Sequence, residues 1–255
     1  MLPKPGDTHL AVVLLSGGMD SCVAVAIARQ SCWLALMHVS YGQRTEERER
    51  RAFSDIVRHY GVHRTLATRL DYLKVIGGSA LTDPSRDAVE ARRPGSSVPD
   101  TYVPFRNTHL LAMAVSWAEV LGARSVYIGA VQEDSSGYPD CREEYYEAFN
   151  RLLRVGTRPE TRLEVRTPLI HMSKEEIVRE GLRLYAPFHL TWSCYTGQEI
   201  ACGRCESCRL RLKGFRAAGV PDPIPYASRG SRSSTTACRR NGSRSSRARG
   251  ATRRA

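Results

Sequence analysis

The chain has 255 residues, of which 42% are hydrophobic and 25% charged, enough length to bury a sizeable core in one domain with additions. No apolar run reaches the roughly 18 residues of a membrane-spanning helix, and the run before the first polar loop is short of a secretory signal's hydrophobic region, so a cytosolic protein is expected. The net charge of +12 is concentrated: residues 228–255 carry nine arginines and no acid, leaving 29 basic residues against 26 acidic ones elsewhere.

The first predicted element is the apolar run LAVVLL at residues 10–15, which has no polar alternation and reads as a strand covered on both faces. It breaks into Ser16-Gly17-Gly18-Met19-Asp20-Ser21, after which small apolar side chains continue with helical tolerance to Gln30. The glycines therefore lie where a strand's C-terminal end meets a helix N-terminus. Unpaired N–H groups and the positive end of a helix dipole gather at such a junction, and glycine lets a ligand approach closely. A phosphate is the ligand this arrangement suits, although the pair also fits a plain tight turn with Asp20 at a helix start.

Further strands are predicted at residues 34–39, 65–70, 125–131 and 163–168, and helices at 45–60, 107–121, 142–154, 173–184 and 205–218. Strands alternating with helices imply an α/β fold with a parallel sheet, right-handed crossovers and ligands at the strands' C-terminal ends. Residues 71–104 read as a long loop of the kind that serves as a lid or binding loop. Ser173 followed by Glu176 is a capping box, which places Lys174 in the first turn of a helix. Taken alone, that lysine is an exposed helix-end charge.

Cys194, Cys202, Cys205 and Cys208 are spaced C-x7-C-x2-C-x2-C. Four thiolates this close suit a closed, structural Zn²⁺ site. An iron–sulfur cluster competes, but the ferredoxin run continues into Cys-Pro where Arg209 stands here, and disulfides do not suit a reducing compartment. Cys22, Cys32, Cys141 and Cys238 read as buried or incidental thiols. The seven histidines show no metal spacing, and His38 reads as a packed side chain. The serine- and arginine-rich residues 228–255 lack apolar side chains able to form a core. They are equally a solvated tail or a polyanion-binding arm.

The pattern G-x-x-x-x-G-K-[ST] is absent, and the loop at Ser16 resembles instead the S-G-G-x-D-S loop of ATP pyrophosphatases that adenylate their substrates. With it come YGQRTEERE at Tyr41, TYVPFRNTHLL at Thr101, IGAVQEDSSGYPDCREEYYEAFN at Ile128, TPLIHMSKEEIV at Thr167, TWSCY at Thr191 and CGRCESCRLRLKGF at Cys202. In this order, over about residues 11–226, they resemble the 7-cyano-7-deazaguanine synthase family. The resemblance implies an adenine nucleotide alpha hydrolase-like, Rossmann-like fold with a C-terminal zinc-binding helical region. The expected divisions are residues 1–190 for the nucleotide domain, 191–227 for the zinc region and, by composition and with no counterpart in the resemblance, 228–255 for a disordered tail. Two departures are visible: Thr45 stands where many members have His, and Phe105 where "VPGRN" has glycine.

The implied activity is an ATP-dependent ligation of 7-carboxy-7-deazaguanine and ammonia to the nitrile, through adenylation of the carboxylate and then of the amide. The resemblance assigns nucleotide binding to Leu15, Ser16, Gly17, Gly18, Met19, Asp20, Ser21, Cys22, Val23, Ala24 and Val25. Ser16, Asp20, Ser21 and Lys174 are its catalytic set, and the cysteines named above hold structural Zn²⁺. Arg106, Asn107, Asp134, Ser136 and Tyr138 are assigned to the substrate, with Asp134 the acceptor for the base's donors. On the residues alone Asp134 also fits an Asx turn, and Asn107 a helix cap. ATP is the co-substrate and Mg²⁺ is expected with it. A homodimer is left open, no membrane is involved, and nucleic-acid contact is expected only through the basic tail. The rival readings are a tRNA-directed base-modifying enzyme with the same loop, for which no basic face on the body is evident in the sequence, and a non-enzymatic nucleotide- or RNA-binding module.

Overall fold

The computed structural model describes residues 9–88, 98–132 and 137–227. Five strands form one parallel sheet: β1 (His9–Leu14), β2 (Cys32–Ser40), β3 (Thr65–Arg69), β4 (Ser125–Ile128) and β5 (Glu164–Arg166), in the order β3-β2-β1-β4-β5. Ala11 of β1 pairs with Leu34 of β2 on one side and Ser125 of β4 on the other. The strand order reverses beside β1, so the loops after β1 and β4 part and leave a crevice at the sheet's C-terminal edge, where doubly wound folds bind ligands.

Alternation along β1 feeds two cores. Ala11, Val13 and Leu15 face a layer built by α1 (Met19–Ala28), α2 (Glu46–Tyr60), α6 (Lys174–Arg183) and α7 (Glu206–Ala217). Val12 and Leu14 face the opposite layer, built by α3 (Tyr72–Ile76), α4 (Arg106–Leu121) and α5 (Glu143–Gly156). A strand buried on both faces has no room for polar alternation, which is why the LAVVLL run reads as it does.

The predicted parallel α/β sheet is the one that forms, and all five strands and the later helices lie where the sequence places them, to within a few residues. The strand predicted at 125–131 stops at Ile128, because the chain leaves the sheet there to line the crevice. The long segment after β3 is not loop throughout: it opens with the short helix α3, and residues 89–97 lie outside the described residues, as do 1–8, 133–136 and 228–255. The capping box is present in both directions, Ser173 Oγ accepting from Glu176 N–H and the Glu176 carboxylate from Ser173 N–H at 2.8 Å. Among the described residues no helix is long and apolar enough to cross a membrane.

Candidate active site and cysteine centre

The loop between β1 and α1 is held open by its own hydroxyls and by the chain behind it. Ser16 Oγ lies 3.0 Å from Ser21 Oγ and accepts from the Gly18 N–H at 3.2 Å. Ser21 Oγ lies 3.0 Å from the Gly18 carbonyl. Gly17 has φ of +93°, and a Cβ there would stand 2.6 Å from the Glu49 carbonyl oxygen, so only glycine lets α2 approach the loop this closely. Gly129, just past β4, is needed for a similar reason: a Cβ would meet the Asp20 and Ser21 backbone at 2.8 Å.

Lys174, in the first turn of α6, reaches Asp20 Oδ2 with its Nζ at 2.9 Å. The other oxygen, Asp20 Oδ1, is buried with no hydrogen-bond partner among the described residues. Both side chains border a cavity of about 290 Å³ at the C-terminal ends of β1, β2 and β4. A smaller recess of about 110 Å³ lies beside Lys174 and extends along α7 past Ser207 and Leu210.

The far wall of the cavity carries Tyr41, Arg106 and Glu49. Arg106 Nη1 donates to Tyr41 Oη at 3.1 Å. Glu49 accepts from Thr45 Oγ1 at 2.7 Å and Gln43 Nε2 at 3.0 Å, while Gln43 Oε1 accepts from the Tyr41 N–H at 2.8 Å. The Tyr-Gly-Gln turn thus aims its glutamine at the glutamate one helical turn into α2. Burial pushes the Glu49 carboxyl above the usual carboxylate range, which readies it to take a proton.

Asn107 is buried behind Arg106. Its N–H donates to Asp140 Oδ2 at 3.0 Å, its Nδ2 to the Asp140 carbonyl at 2.9 Å, and its Oδ1 accepts from the Arg106 guanidinium. It holds the 3-10 turn Pro139–Cys141 against α4 and orients the arginine, and it is not the helix's N-cap, which is Phe105. Tyr138 borders the cavity and hydrogen-bonds Thr101 Oγ1.

Cys194, Cys202, Cys205 and Cys208 bring their sulfurs within 4.8 Å of one another. Tetrahedral thiolates at about 2.3 Å from a metal stand slightly under 4 Å apart, and Cys202 Sγ lies 4.0 Å from Cys208 Sγ. Backbone N–H groups point at the sulfurs: those of Gly197 and Cys202 donate to Cys194 Sγ at 3.1 and 3.3 Å, and that of Cys205 to Cys202 Sγ at 3.3 Å. Such donors stabilise thiolate charge, so the set can hold a metal ion with every ligand position filled. Arg211 locks the region from beneath. It is 1% exposed and pairs through Nε and Nη2 with both oxygens of Asp222, at 2.7 and 2.9 Å, while Nη1 donates to Thr191 Oγ1. The Trp192 backbone N–H donates to the Gly17 carbonyl at 2.8 Å, tying the cysteine region to the loop.

The family model for queuosine biosynthesis protein QueC matches residues 10–219. The chain belongs to the QueC family. A 7-cyano-7-deazaguanine synthase of Chlorobium chlorochromatii is 56% identical to it over 86% of this chain and 96% of that one. A synthase of the same name from Chlorobium phaeobacteroides is 57% identical over 86% of this chain and 97% of its own. Among solved structures, a 4-thiouridine synthetase in an RNA complex with bound ATP covers 83% of this chain and 53% of its own at 21% identity, with a TM-score of 0.47, too loose a likeness to argue from.

Within this family member, the cavity gathers Leu15, Ser16, Gly18, Met19, Asp20, Ser21, Lys174, Arg106, Asn107 and Tyr138 from the residues singled out in the sequence. Cys22, Val23, Ala24 and Val25 are placed differently: they are fully buried in the core beneath α1 and do not line it, because the helix carries the chain away from the crevice. Gly17 does not line it either, its carbonyl being held by the Trp192 N–H. Asp134 and Ser136 lie outside the described residues. His38 is buried with Nδ1 3.1 Å from the Leu15 carbonyl, a packed side chain as expected. Sequence reading passed over Glu49, Tyr41 and Gly129. The signal for Tyr41 and Glu49 was their place in the YGQRTEERE motif, while a glutamate in a helix's first turn is ordinarily explained by the dipole alone.

Proposed function

We propose that the chain makes 7-cyano-7-deazaguanine from 7-carboxy-7-deazaguanine and ammonia, splitting ATP between its α- and β-phosphates. The activity is that of the curated relatives, and the steps are our reading of the cavity. One observation carries that reading: the glycine loop, Lys174, Arg106 and Glu49 converge on a single crevice.

In the first step a carboxylate oxygen of the acid attacks the α-phosphorus and pyrophosphate leaves. The loop N–H groups, the α1 dipole and the hydroxyls of Ser16 and Ser21 face the charge that grows on the departing group, and Lys174 Nζ adds a cation. Asp20, paired with Lys174, fixes that ammonium in place, and its uncommitted Oδ1 suits Mg²⁺ entering with ATP, which would supply charge neutralisation on the phosphates. Arg106 is placed to orient the carboxylate, held by Tyr41 and Asn107.

Ammonium must lose a proton before it can attack. Glu49 accepts that proton on a carboxylate that burial has made more basic, and ammonia adds to the acyl carbon as AMP leaves. The resulting amide oxygen is adenylated in turn by a second ATP, and loss of AMP and the remaining amide protons leaves the nitrile. One loop serves both steps. Asp134 and Ser136 are candidates for reading the base on the strength of their motif alone.

The four cysteines fit Zn²⁺ in a structural role: the donor set is all sulfur, no position is left for water, and the site lies outside the reacting cavity. The reading is tested by incubating the protein with ATP, ammonium and the acid. The nitrile should form with AMP and pyrophosphate as co-products. ADP as the direct product would sink the adenylation route.

A further inference from the structure

We infer that a second, arginine-lined cleft at the opposite end of the sheet binds the phosphate backbone of a single-stranded polynucleotide. The cleft, about 990 Å³, lies at the N-terminal edge of the sheet, beside His9 of β1 and Glu164 of β5. The candidate active site lies beyond the other end of β1, about 20 Å away along its six residues.

Six arginines meet there from three separate parts of the chain. Arg124 comes from the turn before β4, Arg151 and Arg154 from the outer face of α5, and Arg158, Arg162 and Arg166 from the segment running into and along β5. Two acids, Glu147 and Glu164, share the cleft, so it is strongly cationic. Arg166 is committed to Glu164 and Arg162 to backbone carbonyls. The side chains of Arg124, Arg151, Arg154 and Arg158 make no ion pair or hydrogen bond among the described residues. A solvated helix face explains two of these charges and not their convergence from three elements.

The chemistry selects the ligand. There is no lysine in the cleft, and guanidinium groups grip phosphate in bidentate fashion where ammonium acts as a point charge. Arg151 and Arg154 stand about 4.5 Å apart along the α5 axis, and Arg158 follows just past the helix's end, so the cations are spread for successive phosphates rather than gathered into a pocket for one. An aromatic platform stands at the same end of the sheet. Trp33, 49% exposed, pairs in register with Leu10, whose carbonyl accepts the Arg124 N–H at 2.9 Å. Trp33 is outside the cleft lining, three strands from β5 and so about 14 Å across the sheet, and cations that take phosphates with a ring within a strand's reach are the combination that holds single strands. The arginine-rich residues past 227 are thus not the only basic feature of this chain.

The test measures binding of the full-length protein to labelled 12-nucleotide RNA and DNA strands over a salt series, with polyphosphate as the base-free control. The double substitution Arg151→Gln/Arg154→Gln should weaken binding of both strands at least tenfold and flatten the log K against log salt slope by about 1.4, the change expected when two phosphates are no longer neutralised. Trp33→Ala should weaken the strands by about fivefold or more, leave polyphosphate unchanged, and be largely rescued by Trp33→Phe. Binding of either strand with these dependences supports the proposal, and the tighter of the two names the nucleic acid the cleft prefers. All these variants should retain nitrile formation, since none lines the active cavity. An unchanged affinity and slope in the double variant overturns the proposal and assigns any binding to residues past 227. A Trp33→Ala effect equal on strands and polyphosphate, or absent on both, also overturns it, leaving a simple anion trap.

Discussion

Lys174 and Asp20 are 154 residues apart in sequence and 2.9 Å apart in space, the lysine Nζ donating to Asp20 Oδ2. Each sits in the first turn of its helix, α6 and α1, so two positive helix ends and one ammonium face the same crevice. The carboxylate is what keeps that concentration of positive charge in register before ATP arrives. Lys174→Met should therefore lower pyrophosphate release by about 100- to 1000-fold, the usual loss when one preorganised donor to a leaving group is removed. Isotope exchange between pyrophosphate and ATP in the presence of the acid measures this step alone. Exchange at the wild-type rate would remove Lys174 from the phosphate site.

Glu49→Gln should separate the two halves of the reaction. The amide keeps the shape and one of the hydrogen bonds from Gln43 or Thr45 but accepts no proton, so pyrophosphate exchange should survive while amide formation falls by about 100-fold or more. In the variant the residual rate should track free ammonia as pH rises, whereas the wild type should show an ionisation above the usual carboxylate range. Stability gives an independent readout. A raised folded pKa means that Glu49 binds its proton more tightly folded than unfolded, so its contribution is lost as pH rises from the ordinary carboxylate range through the folded value. That slope should vanish in Glu49→Gln. Equal losses in exchange and amide formation would instead make Glu49 a structural residue.

What could be read from the sequence follows physical rules that can be named. LAVVLL was legible because a strand covered on both faces must be apolar throughout, and the cysteine set because metal ligands on one short segment keep their spacing. The helix Tyr72–Ile76 was not, since five residues carry no helical period. Glu49 was hidden by a commonplace: acids in first turns are normal. The arginine cleft was invisible for another reason. Its six residues are scattered between positions 124 and 166, and only the pairing of β1 with β4 and β4 with β5 brings them to one edge.

Each chain should carry one zinc ion, and Cys205→Ser should both lower the unfolding temperature and weaken ATP binding. The first effect follows because ligation contributes folding free energy. The second follows from the Trp192 backbone N–H bond to the Gly17 carbonyl, which links the cysteine region to the glycine loop. Elemental analysis and ATP titration check the two parts. Iron with a visible charge-transfer band would replace zinc by a cluster, and unaltered ATP affinity would show that the link transmits nothing.

Asp222→Ala should destabilise the protein by about 3–5 kcal/mol, the cost typical of stripping one partner from a buried pair. The guanidinium of Arg211 would keep Thr191 Oγ1 and the Phe188 carbonyl but lose its only carboxylate partner among the described residues, and Tyr226 Oη would lose its acceptor at 2.6 Å. Denaturant unfolding reads the size of the change. A shift under about 1 kcal/mol would mean that water reaches the arginine and that the pair is not the clamp it looks to be.

Phe105→Gly should leave the protein as stable or more so, with a gain of up to about 1 kcal/mol. Phe105 has φ of 58° and ψ of 21°, a left-handed conformation at the start of α4, which costs a residue with a Cβ about 1–2 kcal/mol. This is the position where the family motif often has glycine, and the backbone explains why. The phenyl ring recovers little, being 56% exposed with an edge contact to His109, while glycine forfeits some chain entropy on folding. The two terms oppose and the strain is the larger. Because Arg106 is the next residue, relief at Phe105 should also leave the Michaelis constant for the acid unchanged, provided that glycine holds the same turn. A destabilisation beyond about 1 kcal/mol would show that the ring packs more productively than its exposure indicates.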